Sequence, residues 1–483
     1  MTGPTRPGRL APYTRLDEPL LAFASDDPTA VDTHPLRGLV AHGPYTRNSL
    51  AAHTDRIRVA VVGPDDGRQG RRAVLQKVQT TQQPSDRRVY VPPYPGFKQL
   101  LGVPLIPAPP PTQLAVPARL DDLGAGDPKA LVRRAISERM RELAGVRDQF
   151  DVAVFHLPDS WGPGLRGQGF DAHDELKAIG AELNVPTQVI NDRTFDFKFV
   201  ASMAWRLAIA LYVKAGGMPW RLAPLPGVPS DSAYIGLAYA FRGDPREAKF
   251  VTCCSQVFDA DGGGMQFVAY DARDPLHDSD DARRNPYLSR ADMRAVLARS
   301  LDLYRRRNGG ATPTRVVVHK TTGFKDEELA GVSDALAVVE EIECVEITTH
   351  VAWRGVWLQD SKRGDDKSEA DKYPVHRGTM VPLSGRAALV WVAGNAPSVA
   401  QSGDSYYQGG KSIPAPLLLT RHMGRGPLEL IASEALALTK MDWNNDALYD
   451  PVPVTIGYSK RLARTIANVP TLPRRVYPYR MFM

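Results

Sequence analysis

Residues 233–339 constrain the fold more than any other stretch. Three apolar runs follow one another, AYIGLAYAF (233–241), AKFVTCCSQVFD (248–259) and MQFVAYDA (265–272), the last two separated by the glycine triplet 262–264. Runs of this length bounded by turn residues predict three strands in an antiparallel meander. RADMRAVLARSLDLYRRR (290–307) then repeats apolar residues at helical spacing, TRVVVHK (314–320) reads as a strand, and a helix begins near KDEELAGVSDALAVV (325–339). The glycine triplet lacks a following Lys-Ser/Thr pair, so it reads as a hairpin turn rather than a phosphate loop. The acidic stretch 271–281 lacks the central Gly and terminal Glu of an EF-hand, so it reads as a solvated loop.

A second alternating pattern lies upstream. Strands are expected at IRVAVVG (57–63), DVAVFHLPDS (151–160) and TQVI (187–190), with helices at 128–146, 171–183 and roughly 196–215. Strand alternating with helix implies a Rossmann-like α/β domain. LAPLPGVPSDS (222–232) reads as a linker, and the first 45 residues as an irregular, Pro-rich segment. The expected division is therefore a segment 1–45, an α/β domain 46–225 and a second α/β domain 226–483. In the second domain, three strands, a helix and a further strand give the order of a ribonuclease-H-like core.

Composition narrows the class of protein. No run approaches the ~20 apolar residues of a membrane span, and a basic N-terminus followed by only LLAFA is no secretory leader. Three cysteines form neither a disulfide framework nor a zinc pattern, which points to the cytoplasm. The net charge of +6 says little by itself. Its distribution says more: from Pro451 to Met483 there is no Asp or Glu, while Lys460, Arg461, Arg464, Arg474, Arg475 and Arg480 are basic. A one-sign segment ending in VYPYRMFM suits a tail docked against phosphate.

Several segments, in order along the chain, resemble the Argonaute proteins, and specifically the short prokaryotic kind with only MID and PIWI domains. They are EPLLAF with HPLRGLVAHGPY (18–23 and 34–45), PTQVI (186–190), YVKAGGMPWRL (212–222), RVVVHKTTGFKDEEL (315–329) and TKMDWNNDALYDPVPVTIGYSKRLA (439–463). The resemblance implies a Rossmann-like MID domain that holds the 5′ end of a guide strand, followed by a ribonuclease-H-like PIWI domain. His173 and Lys177, spaced i, i+4, project from one helix face. The family commonly has Tyr and Lys at this spacing; here His173 replaces the aromatic. Gln188 and Lys214 match the other residues of the 5′-phosphate pocket, and Lys198 is an additional candidate. In prokaryotic relatives the C-terminal carboxylate, here that of Met483, helps hold a divalent metal at the guide phosphates, which implies Mg²⁺.

Two-metal cleavage needs several carboxylates. The resemblance matches the catalytic positions to Ala238, Lys320 and Lys460, one methyl and two ammonium groups, so the chain is expected not to cut. Lys320, Lys460 and Arg464 are expected to contact nucleic-acid backbone instead. The implied function is a prokaryotic immune sensor: a guide, expected to be RNA, pairs with single-stranded invader DNA. Binding then activates a separate APAZ-containing effector, expected to carry a sirtuin-like or TIR NAD-consuming domain or a nuclease. The alternative is an active guided endonuclease whose carboxylates, such as Asp326, Glu327 or Asp442, lie beside the matched positions. A small-molecule enzyme is disfavoured by the lack of a dinucleotide fingerprint, P-loop or nucleophile elbow.

Overall fold

A computed structural model describes residues 12–483 apart from 86–90, 242–250, 261, 273–275, 278–285, 361–367, 398–406, 408–412, 445–446, 470 and 474. Much of the acidic stretch 271–281, and Arg474, therefore lie outside the described residues.

The first sheet is built on β1 (Ile57–Gly63), whose continuous apolar run is buried on both faces. Its parallel partners are β2 (Leu105–Pro107), β3 (Gln113–Ala115) and β4 (Val152–His156), and β5 (Thr187–Ile190) pairs in parallel outside β4. Helices α1 (Arg68–Gln79), α2 (Pro128–Gly145), α3 (Ala172–Leu183) and α4 (Val200–Lys214) connect and cover it. An all-parallel sheet needs apolar cover on both sides, and α4 supplies it with an almost wholly buried VASMAWRLAIALYVK. The long helix expected from about 196 to 215 is α4, which begins at Val200, and a short turn at Asp192–Phe195, with Asn191 and Thr194 in a capping box, precedes it.

Among the described residues the second sheet has ten strands. Its core is β6 (Ala233–Phe241), β7 (Val251–Asp259), β8 (Gly264–Asp271), β9 (Arg315–Lys320) and β10 (Glu341–Thr348), in the spatial order β8-β7-β6-β9-β10. The first three are antiparallel, while β6, β9 and β10 run parallel. Helices α5 (Arg290–Arg307) and α6 (Asp326–Ala335) close the crossovers on one face. This is the ribonuclease-H-like arrangement expected from the strand order. The sheet extends beyond β10 through β11 (Thr379–Ser384), β12 (Ala387–Val390) and β13 (Leu417–Met423), and β14 (Val476–Pro478) adds an edge beside β8.

Helices α7 (Leu428–Leu438) and α8 (Val454–Asn468) lie on the other face. Between them the described residues of 439–453 are not helical, since Pro451 and Pro453 suit the start of a helix and not its interior. The turn between β7 and β8 contains Gly262 at φ 71, so the triplet is a hairpin turn as expected.

The described part of the N-terminal segment, 12–45, is not irregular. Pro35–His42 is a helix whose N-cap is His34, its Nδ1 accepting from the backbone N–H of Leu36 and Arg37. Leu21–Ala22 pairs with Val31–Asp32 and with Arg221–Leu222, and Thr14–Arg15 pairs with β11. The short strands escape periodicity because each has only two residues and its partner is distant in sequence.

Candidate nucleic-acid interface

Asp171 caps α3 by accepting from the N–H groups of His173 and Asp174, which fixes the start of the helix and the face that follows. From that face Lys177 is buried, at 4 % exposure, while His173 is half-buried. Lys214, at the end of α4, is buried at 1 %, and its Nζ donates to Gln188 Oε1 at 2.5 Å. Gln188 donates in turn to the carbonyl of Val189 at 3.0 Å. Gly216, at φ 108, ends α4 just beyond this lysine. Lys198 lies at the far end of α4 from Lys214. The structure thus unites Lys177, Gln188 and Lys214, places His173 at their rim, and leaves Lys198 outside.

Neither buried lysine has a carboxylate hydrogen-bonded to it. Burial brings the Lys177 ammonium down to about 7, with Arg461 and Arg464 adding repulsion against the attraction of Asp174. Burial, and then the charge of Lys177, hold Lys214 well below its ordinary range. Both groups would be satisfied by an anion that brings acceptor oxygens with it.

The second domain closes the site. Asp174 accepts from Asn468 Nδ2 at 2.7 Å and from Thr465 Oγ1 at 3.2 Å, tying α3 to α8, and lies 3.4 Å from Arg464 Nε. Arg461 is bonded to buried Asp442, which also accepts from the Tyr458 hydroxyl at 2.8 Å. Met481, Phe482 and Met483 are buried in the main core, and Tyr479–Met481 packs on α3 and α4. Arg461 belongs to the basic C-terminal run visible in the sequence. Asp174 gave no signal there, because its partners lie almost three hundred residues away.

The positions matched to catalytic carboxylates do not converge. Gly236 pairs with His319, and both face α8: a Cβ at Gly236 would sit 2.0 Å from the Thr455 carbonyl, and His319 Nδ1 is 2.9 Å from Thr455 Oγ1. Ala238 shares that face by alternation. Lys320, one residue beyond His319, points to the opposite face. There it is wholly buried and ion-paired to Glu328 at 2.5 and 2.6 Å, with Nζ over the rings of Tyr287, Phe324 and Tyr239. The expected backbone contact of Lys320 is therefore corrected: its charge is sealed inside the domain.

The residue of β9 that shares a face with Ala238 is His319, held neutral by burial with its pKa down to about 3. Lys460 is exposed on α8, and Arg464 is exposed beside Asp174. Among the described residues no group of three or more His, Cys, Asp or Glu side chains could hold a metal ion. Nor is any helix among them long and apolar enough to cross a membrane.

No protein-family model and no curated protein matches the chain. Solved structures do. Clostridium butyricum Argonaute, bound to a guide DNA and a 19-mer target DNA, superposes with a TM-score of 0.68 at 16% identity, over 98% of this chain and 55% of that one. This chain has the Argonaute–Piwi fold. Drosophila Piwi matches with a TM-score of 0.63 at 15% identity, covering 97% of this chain and 56% of its own. A. aeolicus Argonaute gives 0.58 at 14%, over 98% and 56%. The chain thus spans little more than half the length of the Argonaute and Piwi structures it matches, and the likeness is one of fold.

Proposed function

We propose that this Argonaute-fold chain is a guide-loaded nucleic-acid sensor that binds without cutting. The observation that carries the reading is the pair of buried lysines, Lys177 and Lys214, brought together with no carboxylate among the described residues hydrogen-bonded to either. A buried charge without a partner is expensive, and such an expense is typical of binding sites whose ligand supplies the missing charge. A terminal phosphate fits, because it offers several oxygens to two ammonium groups and to the Gln188 amide. His173 at the rim can stack on or donate to the first nucleotide. The guide, RNA in this proposal, is anchored there by its 5′ phosphate, and base pairing with single-stranded DNA supplies the specificity. The fold's occurrence in a protein bound to a guide DNA and a target DNA supports the pairing of a guide with a target.

The absence of cutting is argued from the β6–β9 face, where the methyl of Ala238 and the neutral imidazole of His319 offer no carboxylate pair to position metal ions. The output then falls to a partner, proposed as an APAZ-containing effector with a sirtuin-like, TIR or nuclease domain. A Mg²⁺ ion at the guide end would have as ligands the phosphates themselves and the Met483 carboxylate, since the side chains of the described residues supply no ligand set.

The test compares 5′-phosphorylated with 5′-hydroxyl guides, by affinity over a salt series, for the parent chain and a Lys177→Ala, Lys214→Ala variant. The variant should lose the preference for phosphate and show a flatter salt dependence. Unchanged affinity would refute the pocket. Target cleavage by the purified chain in Mn²⁺ would refute the absence of cutting.

A further inference from the structure

The first domain has a cavity that the guide pocket does not use. It lies at the opposite edge of the sheet from β5, where β1 changes partner from β2 to β3, and its volume is about 870 Å³. That volume suits a small organic molecule. Four half-buried apolar side chains, Val61, Leu75, Ile106 and Leu114, line it. Arg68, Arg71 and Arg72 from the first turns of α1 line it as well.

Arg71 makes this more than a hollow. It is 5% exposed, and none of its hydrogen bonds is to a carboxylate. Its Nη1 donates to the Pro64 carbonyl at 2.7 Å and lies 3.2 Å from His156 Nδ1, while Nη2 reaches the Gly63 carbonyl only at 3.5 Å. His156 is itself held by Asp192 Oδ1, 2.7 Å from Nε2. The turn from β1 into α1 is shaped around this guanidinium. A Cβ at Gly63 would lie 2.7 Å from Arg71 Nη1, and one at Gly67 would lie 2.9 Å from it. α1 continues directly from a 3-10 turn at Asp65–Gly67, the Arg68 N–H donating to the Asp65 carbonyl, so the side-chain cations and not the helix start carry the charge of the site. Asp65 is bound to Arg68 at 2.6 Å, which leaves Arg71 and Arg72 as the cations facing the cavity.

We propose that this cavity is a second ligand site, which takes a nucleotide-class small molecule: a phosphate between Arg71 and Arg72, and a planar ring over the apolar wall. Arginine is suited to the phosphate by its planar pair of donors. Gln76 and Gln79, exposed on α1 at the cavity's side, can reach the polar edge of the ring. The site is separate from the guide pocket, being three strand positions from β5, or roughly 15 Å at the usual spacing.

Calorimetric titration of the full chain with ADP, and separately with inorganic phosphate, tests the proposal. The chain should carry Lys177→Ala and Lys214→Ala so that the guide pocket cannot supply the signal. ADP should bind one site, more tightly than phosphate. Adding Arg72→Glu, at an exposed position that leaves the fold intact, should weaken ADP by at least about tenfold, the scale of a charged hydrogen bond. Arg71→Met should abolish binding if the variant folds. No ADP binding at millimolar concentration, equal affinity for ADP and phosphate, or indifference to Arg72→Glu would each overturn the proposal. None of these results depends on whether the guide pocket is correctly assigned.

Discussion

Lys177 links the chemistry of one residue to two measurable properties of the chain. In the folded, guide-free state burial chiefly, with Arg461 next, brings it down to about 7 from an ordinary 10.5. Between those values the unfolded chain binds the proton and the folded chain does not, so guide-free stability rises with pH across that window. A phosphate reverses the balance by favouring the charged ammonium. Guide binding should therefore take up protons near neutrality and weaken as pH rises above about 7. Lys177→Met should raise the melting temperature of the guide-free chain near neutral pH while lowering affinity for a phosphorylated guide about tenfold or more. Differential scanning fluorimetry and fluorescence anisotropy would measure the two, and a variant that loses both properties together would mark Lys177 as merely structural. The His173–Lys177 pair was legible in the sequence because i, i+4 spacing fixes a shared helix face. The burial that lowers the lysine's pKa was not, because α8 and the C-terminal residues supply it from the other end of the chain.

At the scale of elements, periodicity located strands and helices well. The apolar runs 57–63, 187–190 and 233–241 are strands over those same residues, and the helix 290–307 has the expected ends. What periodicity leaves open is which way a given side chain of a doubly covered strand points. RVVVHK is buried throughout, so no polar–apolar alternation marks its faces, and a shift of one residue moves a side chain across the sheet. The resemblance matches Lys320 to a catalytic position, yet its side chain lies on the face opposite Ala238, and its neighbour His319 lies on the same face as Ala238. A direct consequence can be measured. Lys320→Met should leave guide and target binding at the parent level but lower unfolding free energy by about 3–5 kcal/mol, because Glu328 is stranded in the interior. Lys320→Met combined with Glu328→Gln should recover part of that loss in urea denaturation. Weakened nucleic-acid binding in a folded Lys320→Met chain would restore the backbone-contact role. Gly236→Ala belongs to the same face and should also destabilise, since its methyl would overlap the Thr455 carbonyl unless α8 lifts from β6.

Across the whole molecule, the segment 12–45 joins the two domains rather than hanging from the first. Leu21–Ala22 extends a small sheet onto Arg221–Leu222, where the chain leaves the first domain, while Thr14–Arg15 extends the large sheet. Between them Glu18 accepts from Arg377 Nε at 3.0 and 3.1 Å and pairs with Lys440 Nζ at 2.6 Å. Lys440 also donates to the carbonyls of Pro19 and Thr33, each at 2.7 Å, and its own carbonyl accepts from Trp220 Nε1 at 3.0 Å. Arg377 stacks over Tyr449 at 4.3 Å and donates to the Leu436 carbonyl and Thr439. One carboxylate thus neutralises two buried cations drawn from the second domain and holds the strand that borders the linker. The sequence hid this network because its members are separated by hundreds of residues and each is an ordinary charged residue in its local context. Glu18→Ala would leave Arg377 and Lys440 buried together without a counter-charge, at a cost of about 3–5 kcal/mol. Because the guide pocket is closed by α8 of the second domain, that loss should also weaken guide binding, although Glu18 touches none of the pocket residues. Glu18→Gln keeps the shape but not the charge, so it should fall near the alanine variant in melting temperature. A glutamine variant as stable as the parent would mean that packing, and not the carboxylate's charge, fastens the N-terminal segment.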